Sequence, residues 1–312
     1  MTRAFVFPGQ GSQAVGMGRE LGEAEPTARA TFEAVDDALD QHLSRIIFDG
    51  PESELTLTAN AQPALMAVSM AVVRVLEEKA GAPLAEMGRF VAGHSLGEYT
   101  ALAATGALDL RAAAQLLRTR GEAMQAAVPV GEGAMAAIMG LDADTVRAVT
   151  EEAAQGEVCA PANDNAPGQI VVSGHAGAVA RAVAMAKEKG AKRAVELSVS
   201  APFHCSLMQP AAERMEQALA TAEIRAPSLP VVANVSAEPV TDPAAIRRNL
   251  VAQVTAPVRW RESMLALRGE GVDSLVELGA GKVLSGLARR IDRGLQATAV
   301  GGPGDIDAFL DG

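Results

Sequence analysis

RFVAGHSLGEYTALAA, residues Arg89–Ala104, carries the reading that decides the fold. Arg89–Gly93 is a short apolar run that ends on glycine, as a buried strand does, and Leu96–Ala104 is apolar with helical spacing. Between them Gly93-His94-Ser95-Leu96-Gly97 fits the nucleophile-elbow pattern, in the strand-to-helix context that this motif requires. The flanking glycines permit a tight turn that lifts a serine hydroxyl into a cleft. The helix N-terminus beneath it offers free N–H groups and a positive dipole to a developing oxyanion. The competing reading is a plain glycine-bounded turn with Ser95 as helix N-cap.

Working outward, strand and helix alternate. Arg3–Phe7 reads as a buried strand, Thr27–Leu39 as a helix, Ala61–Lys79 as a long apolar helix and Leu110–Ala126 as another. This is α/β architecture with a parallel sheet. After Pro129 the rhythm changes to strand Ala134–Met139, helix Ala143–Ala154, strand Glu157–Pro161, strand Gln169–Ser173, helix Ala176–Lys189 and strand Arg193–Leu197. That β-α-β-β-α-β order is that of a ferredoxin-like unit. Alternation then resumes: helix Ser206–Ala220, strand Leu229–Val232, helices Pro243–Val251 and Arg259–Arg268, strand Ser274–Leu278, helix Lys282–Arg290, and a turn at Gly301–Gly304 before a short last helix. The expected organisation is a large α/β-hydrolase-like domain, residues 1–127 and 198–312, bracketing an inserted ferredoxin-like subdomain, residues 128–197.

Bulk properties limit the function classes. The 312 residues carry a net charge of −11, which argues against a broad basic surface for nucleic acid or anionic membrane. Met1 leads straight into the Arg3–Phe7 strand and Pro8, so no signal-peptide core and no spanning segment are expected, and the chain is assigned to the cytoplasm. The two cysteines, Cys159 and Cys205, are far apart and lack CxxC spacing, which suits a reducing compartment and no thiolate metal site.

A nucleophilic serine needs a base, and four histidines are available. His42 sits in a polar helical region and His175 starts a helix in the inserted unit. His94 adjoins Ser95, but neighbouring side chains on a strand point to opposite faces. His204 remains, in the loop Ser200-Ala201-Pro202-Phe203-His204, where its competing reading is a helix-start histidine held by packing. A hydrolase order would place an acid and then a late histidine after the serine, whereas a long stretch follows His204. A backbone carbonyl can hold the imidazole tautomer in place of an acid.

Taken together, Phe7-Pro8-Gly9-Gln10-Gly11-Ser12-Gln13, Gly93-His94-Ser95-Leu96-Gly97-Glu98, Arg120-Gly121 with Met124-Gln125, His204, Asn249 with Gln253, and Glu277-Leu278-Gly279 with Gly281-Lys282-Val283-Leu284 resemble the malonyl-CoA:acyl carrier protein transacylases of fatty-acid synthesis. The matches run nearly end to end. The resemblance implies that Ser95 is the acylated nucleophile, His204 its base, and the Gln253 backbone carbonyl the group that orients His204. It implies an oxyanion hole from the backbone N–H groups of Gln10 and Leu96, and a carboxylate clamp at Arg120. A guanidinium fork suits that last role, because it matches a carboxylate bidentately and keeps its charge when desolvated. Phe203 resembles the malonyl-selecting form of related acyltransferases, where its bulk would crowd an α-methyl group. Gln10, His94, Met124 and Asn163 complete the substrate-binding set, although Asn163-Asp164-Asn165 could equally be turn chemistry. The implied partners are malonyl-CoA and, transiently, holo acyl carrier protein; no nucleic acid or membrane is expected, and the chain is read as a monomer.

Other signals lead elsewhere. Gly9-Gln10-Gly11-Ser12-Gln13-Ala14 loosely fits a dinucleotide fingerprint, but the second strand and acid expected about twenty residues on are replaced by the Thr27–Leu39 helix. Gly281-Lys282 lacks the following Ser or Thr of a phosphate loop, and no metal-ligand spacing occurs. No cofactor is expected beyond the coenzyme A of the substrate. Three alternatives stay open: a serine thioesterase or esterase on the same elbow, an acyltransferase serving a polyketide carrier, and a carrier-binding protein without catalysis.

Overall fold

The computed structural model describes residues 1–312, with ten strands: β1 Arg3–Phe7, β2 Phe90–Gly93, β3 Gly133–Met139, β4 Cys159–Ala166, β5 Gln169–His175, β6 Arg193–Glu196, β7 Val231–Val232, β8 Pro239–Val240, β9 Ser274–Leu278 and β10 Gln296–Val300. They form two sheets. The larger has the order β10-β9-β1-β2-β7-β8 and is parallel except for β8. Its central strands are covered on both faces, which is why they read as unbroken apolar runs. Alternate residues go to opposite layers: Phe5, Phe7 and Val91 join the main core, while Ala4, Val6 and Ala92 join a second core around Trp260.

The main core is built around the helix Thr58–Ala80. Its most apolar stretch is long enough to cross a membrane but is 89% buried inside the protein. It is a core helix. Helix Leu110–Ala126 lies against it at Gly121, where an added Cβ would fall 2.6 Å from Ala59 Cα. That close approach fixes what the two helices bring together in the site.

The smaller sheet is antiparallel, with the order β4-β5-β3-β6. Helices Ala143–Ala154 and Ala176–Glu188 pack on it over a core of their own that includes Ile138, Val146, Val172 and Val179. It is fastened to the larger part through β4. Asp164 N–H donates to the Val258 carbonyl (3.0 Å), Val258 N–H donates to the Ala162 carbonyl (2.8 Å), and Arg261 donates to both oxygens of Asp164 at 2.9 and 3.1 Å.

Several sequence expectations are corrected. The strand expected at Glu157–Pro161 is β4, Cys159–Ala166, so Asn163-Asp164-Asn165 is strand and not turn. Irregular pairing with β5 at Pro161/Asn163 and Asp164/Ala166, plus the bridge from Asn163 to Val258, holds these polar residues extended. His175 ends β5 and precedes its helix, accepting at Nδ1 from Val158 N–H. The strand expected at Leu229–Val232 shrinks to Val231–Val232, since Pro230 has no N–H for a ladder. The helix expected from Ser206 begins as the 3₁₀ turn Ser206–Met208, with Pro210 in the first turn of the α-helix Gln209–Thr221. Strand β10 has no counterpart in the sequence reading: QATAV is a short edge strand whose only fully buried residue is Val300.

At the end of β9, Glu277 is fully buried and accepts from Leu284 N–H (3.1 Å) and Ser285 N–H (2.8 Å), capping the helix Val283–Ile291 from across a loop. Glu277→Ala strands both donors at a helix N-terminus. A loss of about 2–4 kcal/mol in denaturant unfolding is expected.

Candidate active site

The elbow is built as its glycines demand. Ser95 has φ +53°, a left-handed conformation that costs a non-glycine residue about 1–3 kcal/mol. A Cβ on Gly93 would lie 1.9 Å from the Gly97 carbonyl carbon, and one on Gly97 2.4 Å from the Phe7 carbonyl oxygen. Only hydrogen fits at either position. Asn234 then staples the turn: its Oδ1 accepts from Ser95 N–H (2.8 Å) and its Nδ2 donates to the Gly93 carbonyl (2.7 Å). The Ser95 N–H is thus engaged, whereas the N–H of Leu96, a residue that borders the cavity described below, makes no hydrogen bond within the protein. The N–H of Gln10 is likewise unpaired, and its side-chain Nε2 donates to Thr58 Oγ1 (3.3 Å).

His204 Nε2 lies 2.8 Å from Ser95 Oγ, and His204 Nδ1 lies 2.9 Å from the Gln253 backbone carbonyl. A carbonyl can only accept, so the ring proton sits on Nδ1 and the Nε2 lone pair faces the serine hydroxyl. His204 is buried and also held at positive φ, +57°. Burial, then the positive charge of Arg120, lowers its pKa from 6.5 to about 3, so the imidazole is neutral and able to take a proton.

Arg120 is 1% exposed. Its Nη1 donates to Gln62 Oε1 (2.7 Å), and its Nη2 donates to Gln253 Oε1 (2.8 Å) and to Ser95 Oγ (3.1 Å). Its guanidinium also lies over the Tyr99 ring, 5.7 Å from the centroid. Ser95 Oγ therefore accepts from a cation while donating to a neutral imidazole. Burial lowers the Arg120 pKa, yet a guanidinium stays charged, leaving a cation that faces the Ser95 hydroxyl with its Nε unpaired.

These groups line one cavity of about 400 Å³. Gln10, His94, Ser95, Leu96, Arg120, Met124, Asn163, Phe203 and His204 all border it, and Gln253 stands behind His204. Every residue expected at the site from the sequence is thus brought to one place. The smaller sheet supplies Asn163, Asn165, Met135 and Val171 to the same wall. His94 Nε2 pairs with Asn165 Oδ1 (2.8 Å) and its ring packs 5.5 Å from Trp260, so this nitrogen is engaged away from Ser95 Oγ. No group of three or more His, Cys, Asp or Glu side chains converges as a metal site.

Sequence reasoning missed Asn234 and Gln62. Neither carries a local signal, since each acts through contacts made across the fold.

The family described as acyl transferase domain matches residues 4–298. The malonyl CoA-acyl carrier protein transacylase of Bacillus subtilis (strain 168) is 49% identical over 308 residues, covering 98% of this chain and 96% of the relative. That of Escherichia coli (strain K12) is 46% identical over 308 residues, covering 99% and 98%. Among solved structures, the acyl-carrier-protein S-malonyltransferase of Bartonella henselae superposes with a TM-score of 0.97 at 56% identity, covering 100% of this chain and 99% of that one. A malonyl-transacylase solved in complex with its holo type II PKS acyl-carrier protein superposes with a TM-score of 0.96 at 43% identity, covering 100% and 99%. A serine, a neutral histidine and a buried arginine on one cavity, in a chain matched almost end to end by such relatives, make this protein a member of the acyl transferase domain family and an acyltransferase.

Proposed function

We propose that this enzyme transfers the malonyl group of malonyl-CoA to the phosphopantetheine thiol of acyl carrier protein, through a malonyl-Ser95 intermediate. The observation that carries the reading is Arg120: a buried cation 3.1 Å from the nucleophile is an expensive arrangement unless an anion comes to meet it, and the free carboxylate of a malonyl group is such an anion. The names of the relatives agree with it.

In the first half-reaction His204 Nε2 takes the Ser95 proton as Oγ attacks the thioester carbon. The oxyanion is met by the N–H groups of Gln10 and Leu96, and coenzyme A leaves as the thiol with the proton returned by His204. In the second, the carrier thiol gives its proton to His204 and attacks the ester, and Ser95 Oγ departs with that proton. The kinetics are ping-pong. The Gln253 carbonyl keeps the Nδ1–H tautomer throughout, the role an aspartate has in other serine enzymes. His94, Met124 and Asn163 shape the acyl pocket, and Phe203 crowds an α-methyl group.

The same reading includes an α/β-hydrolase-like domain, residues 1–127 and 198–312, with an inserted ferredoxin-like subdomain at 128–197; the β4-β5-β3-β6 order supports the latter. It also includes a monomer acting in the cytoplasm in fatty-acid synthesis. The likeness to a transacylase that serves a polyketide carrier makes such a carrier the second reading, and rates measured with both carrier types separate the two. The first test is intact-protein mass spectrometry after brief exposure to malonyl-CoA, where a malonyl adduct on Ser95 is expected.

A pH consequence follows from His204. Because its pKa is lowered to about 3, kcat/KM for malonyl-CoA will show no fall at pH 6.5, the ordinary histidine value, and will decline only well to the acid side. The same depression means that His204 adds stability above pH 6.5 that is lost as pH falls toward 3. Initial rates and unfolding midpoints across that range check both.

A further inference from the structure

Glu98 is 2% exposed and takes no part in the mechanism above. One of its oxygens, Oε2, accepts from Gln253 Nε2 (2.7 Å) and from the backbone N–H of Asn234 (3.1 Å). Each partner touches the chemistry at a different point. The Asn234 side chain holds both sides of the strained turn at Ser95. Gln253 holds His204 through its carbonyl and Arg120 through Oε1, while its Nε2 also donates to the Ser95 carbonyl (3.0 Å).

A side-chain amide has two ends that can exchange places by a flip, and the flip would aim Nε2 at the Arg120 guanidinium. Donation to Glu98, the shortest of the Nε2 contacts, fixes which end is which together with donation to the Ser95 carbonyl and acceptance from Arg120. From this connectivity we propose that Glu98 is a positioning residue, whose Oε2 sets the Gln253 amide and the Asn234 backbone and thereby aligns Ser95, His204 and Arg120 with one another. It acts by reach and hydrogen bonding, not by charge. Burial pushes its carboxyl up to about 7, so near neutrality its charge is not firmly held, whereas an oxygen in that place is needed in either protonation state. The inference rests on the reading of Ser95 as nucleophile.

Two near-isosteric variants separate reach from charge. Glu98→Gln keeps an acceptor oxygen at the Oε2 position and removes the charge. Glu98→Asp keeps the carboxyl group and withdraws the oxygen by about 1.5 Å, one carbon–carbon bond. Rates of carrier malonylation, KM for malonyl-CoA, and the ratio of malonyl to acetyl labelling are measured for both, with unfolding midpoints to confirm folding. Glu98→Gln is expected within about threefold of wild type. Glu98→Asp is expected to lose about 100-fold in kcat and to lower the malonyl-to-acetyl ratio, since misplacement by about 1 Å costs that much and Gln253 serves both partners. Two wild-type-like variants, or a Glu98→Gln enzyme as impaired as Glu98→Asp, overturn the proposal. Should Glu98→Asp fail to fold, Gln253→Leu removes the same amide while leaving the carbonyl that meets His204, and an unchanged kcat there overturns it as well. Ser95→Ala is run alongside. Transfer by Ser95→Ala would sink the nucleophile reading itself, whereas an inert Ser95→Ala beside a fully active Glu98→Asp sinks only the role of Glu98.

Discussion

The Ser95→Ala protein will take up no malonyl group from malonyl-CoA, and its rate of carrier malonylation will fall by at least about 10⁴-fold. The loss is this large because a ping-pong path has no substitute for the covalent ester: without Oγ neither half-reaction has a nucleophile. The variant will fold. The left-handed turn is enforced by Gly93, Gly97 and the Asn234 staple, none of which involves the hydroxyl, and alanine relieves no contact except those to His204 Nε2 and Arg120 Nη2. Mass spectrometry of wild type and variant after the same exposure decides it. An adduct of equal yield on Ser95→Ala would move the acylation to another residue.

The second large effect is expected at Arg120. Arg120→Ala will lower acylation by malonyl-CoA about a thousandfold while leaving acetyl-CoA labelling within a few-fold of its starting value. Two charge-assisted hydrogen bonds to a buried carboxylate contribute on the order of 4 kcal/mol, which is that factor. An acetyl group has no carboxylate to lose. The guanidinium is held in place before substrate arrives by Gln62 and Gln253, so no reorganisation dilutes the effect. Labelling by the two acyl-CoAs, measured in parallel, gives the ratio directly. If both acyl groups declined together, Arg120 would be acting on Ser95 alone and the carboxylate clamp would fall.

Much of this is legible in the amino-acid sequence itself. The elbow is a local object: its glycines, the apolar strand before it and the helix after it are contiguous, so Ser95 could be read from residues 89–104. The alternation of strand and helix, and the change of rhythm after Pro129, likewise follow from short-range periodicity, and the strand orders of both sheets agree with it. His204 was reachable because histidines are few. Arg120 and Gln253 were reachable only through resemblance to a family, since an arginine beside a glycine and a glutamine near the end of a helix carry no local signal.

The missed residues mark the boundary. Asn234, Gln62 and the work of Glu98 were invisible because each acts by a hydrogen bond to something far along the chain, and a side chain does not record where its partner will be. The turn alternative for Asn163 to Asn165 rested on composition alone, and the pairings with β5 and Val258 overrode it while leaving Asn163 on the cavity wall. The sequence by itself determined the α/β class and the strained strand-to-helix turn at Ser95, because those depend on backbone allowances and apolar patterning among neighbours. Only the tertiary structure decided which tautomer His204 holds, where Arg120 points and how Glu98, Asn234 and Gln253 are joined, because those depend on distances between segments that meet only once the two sheets and their helices are packed.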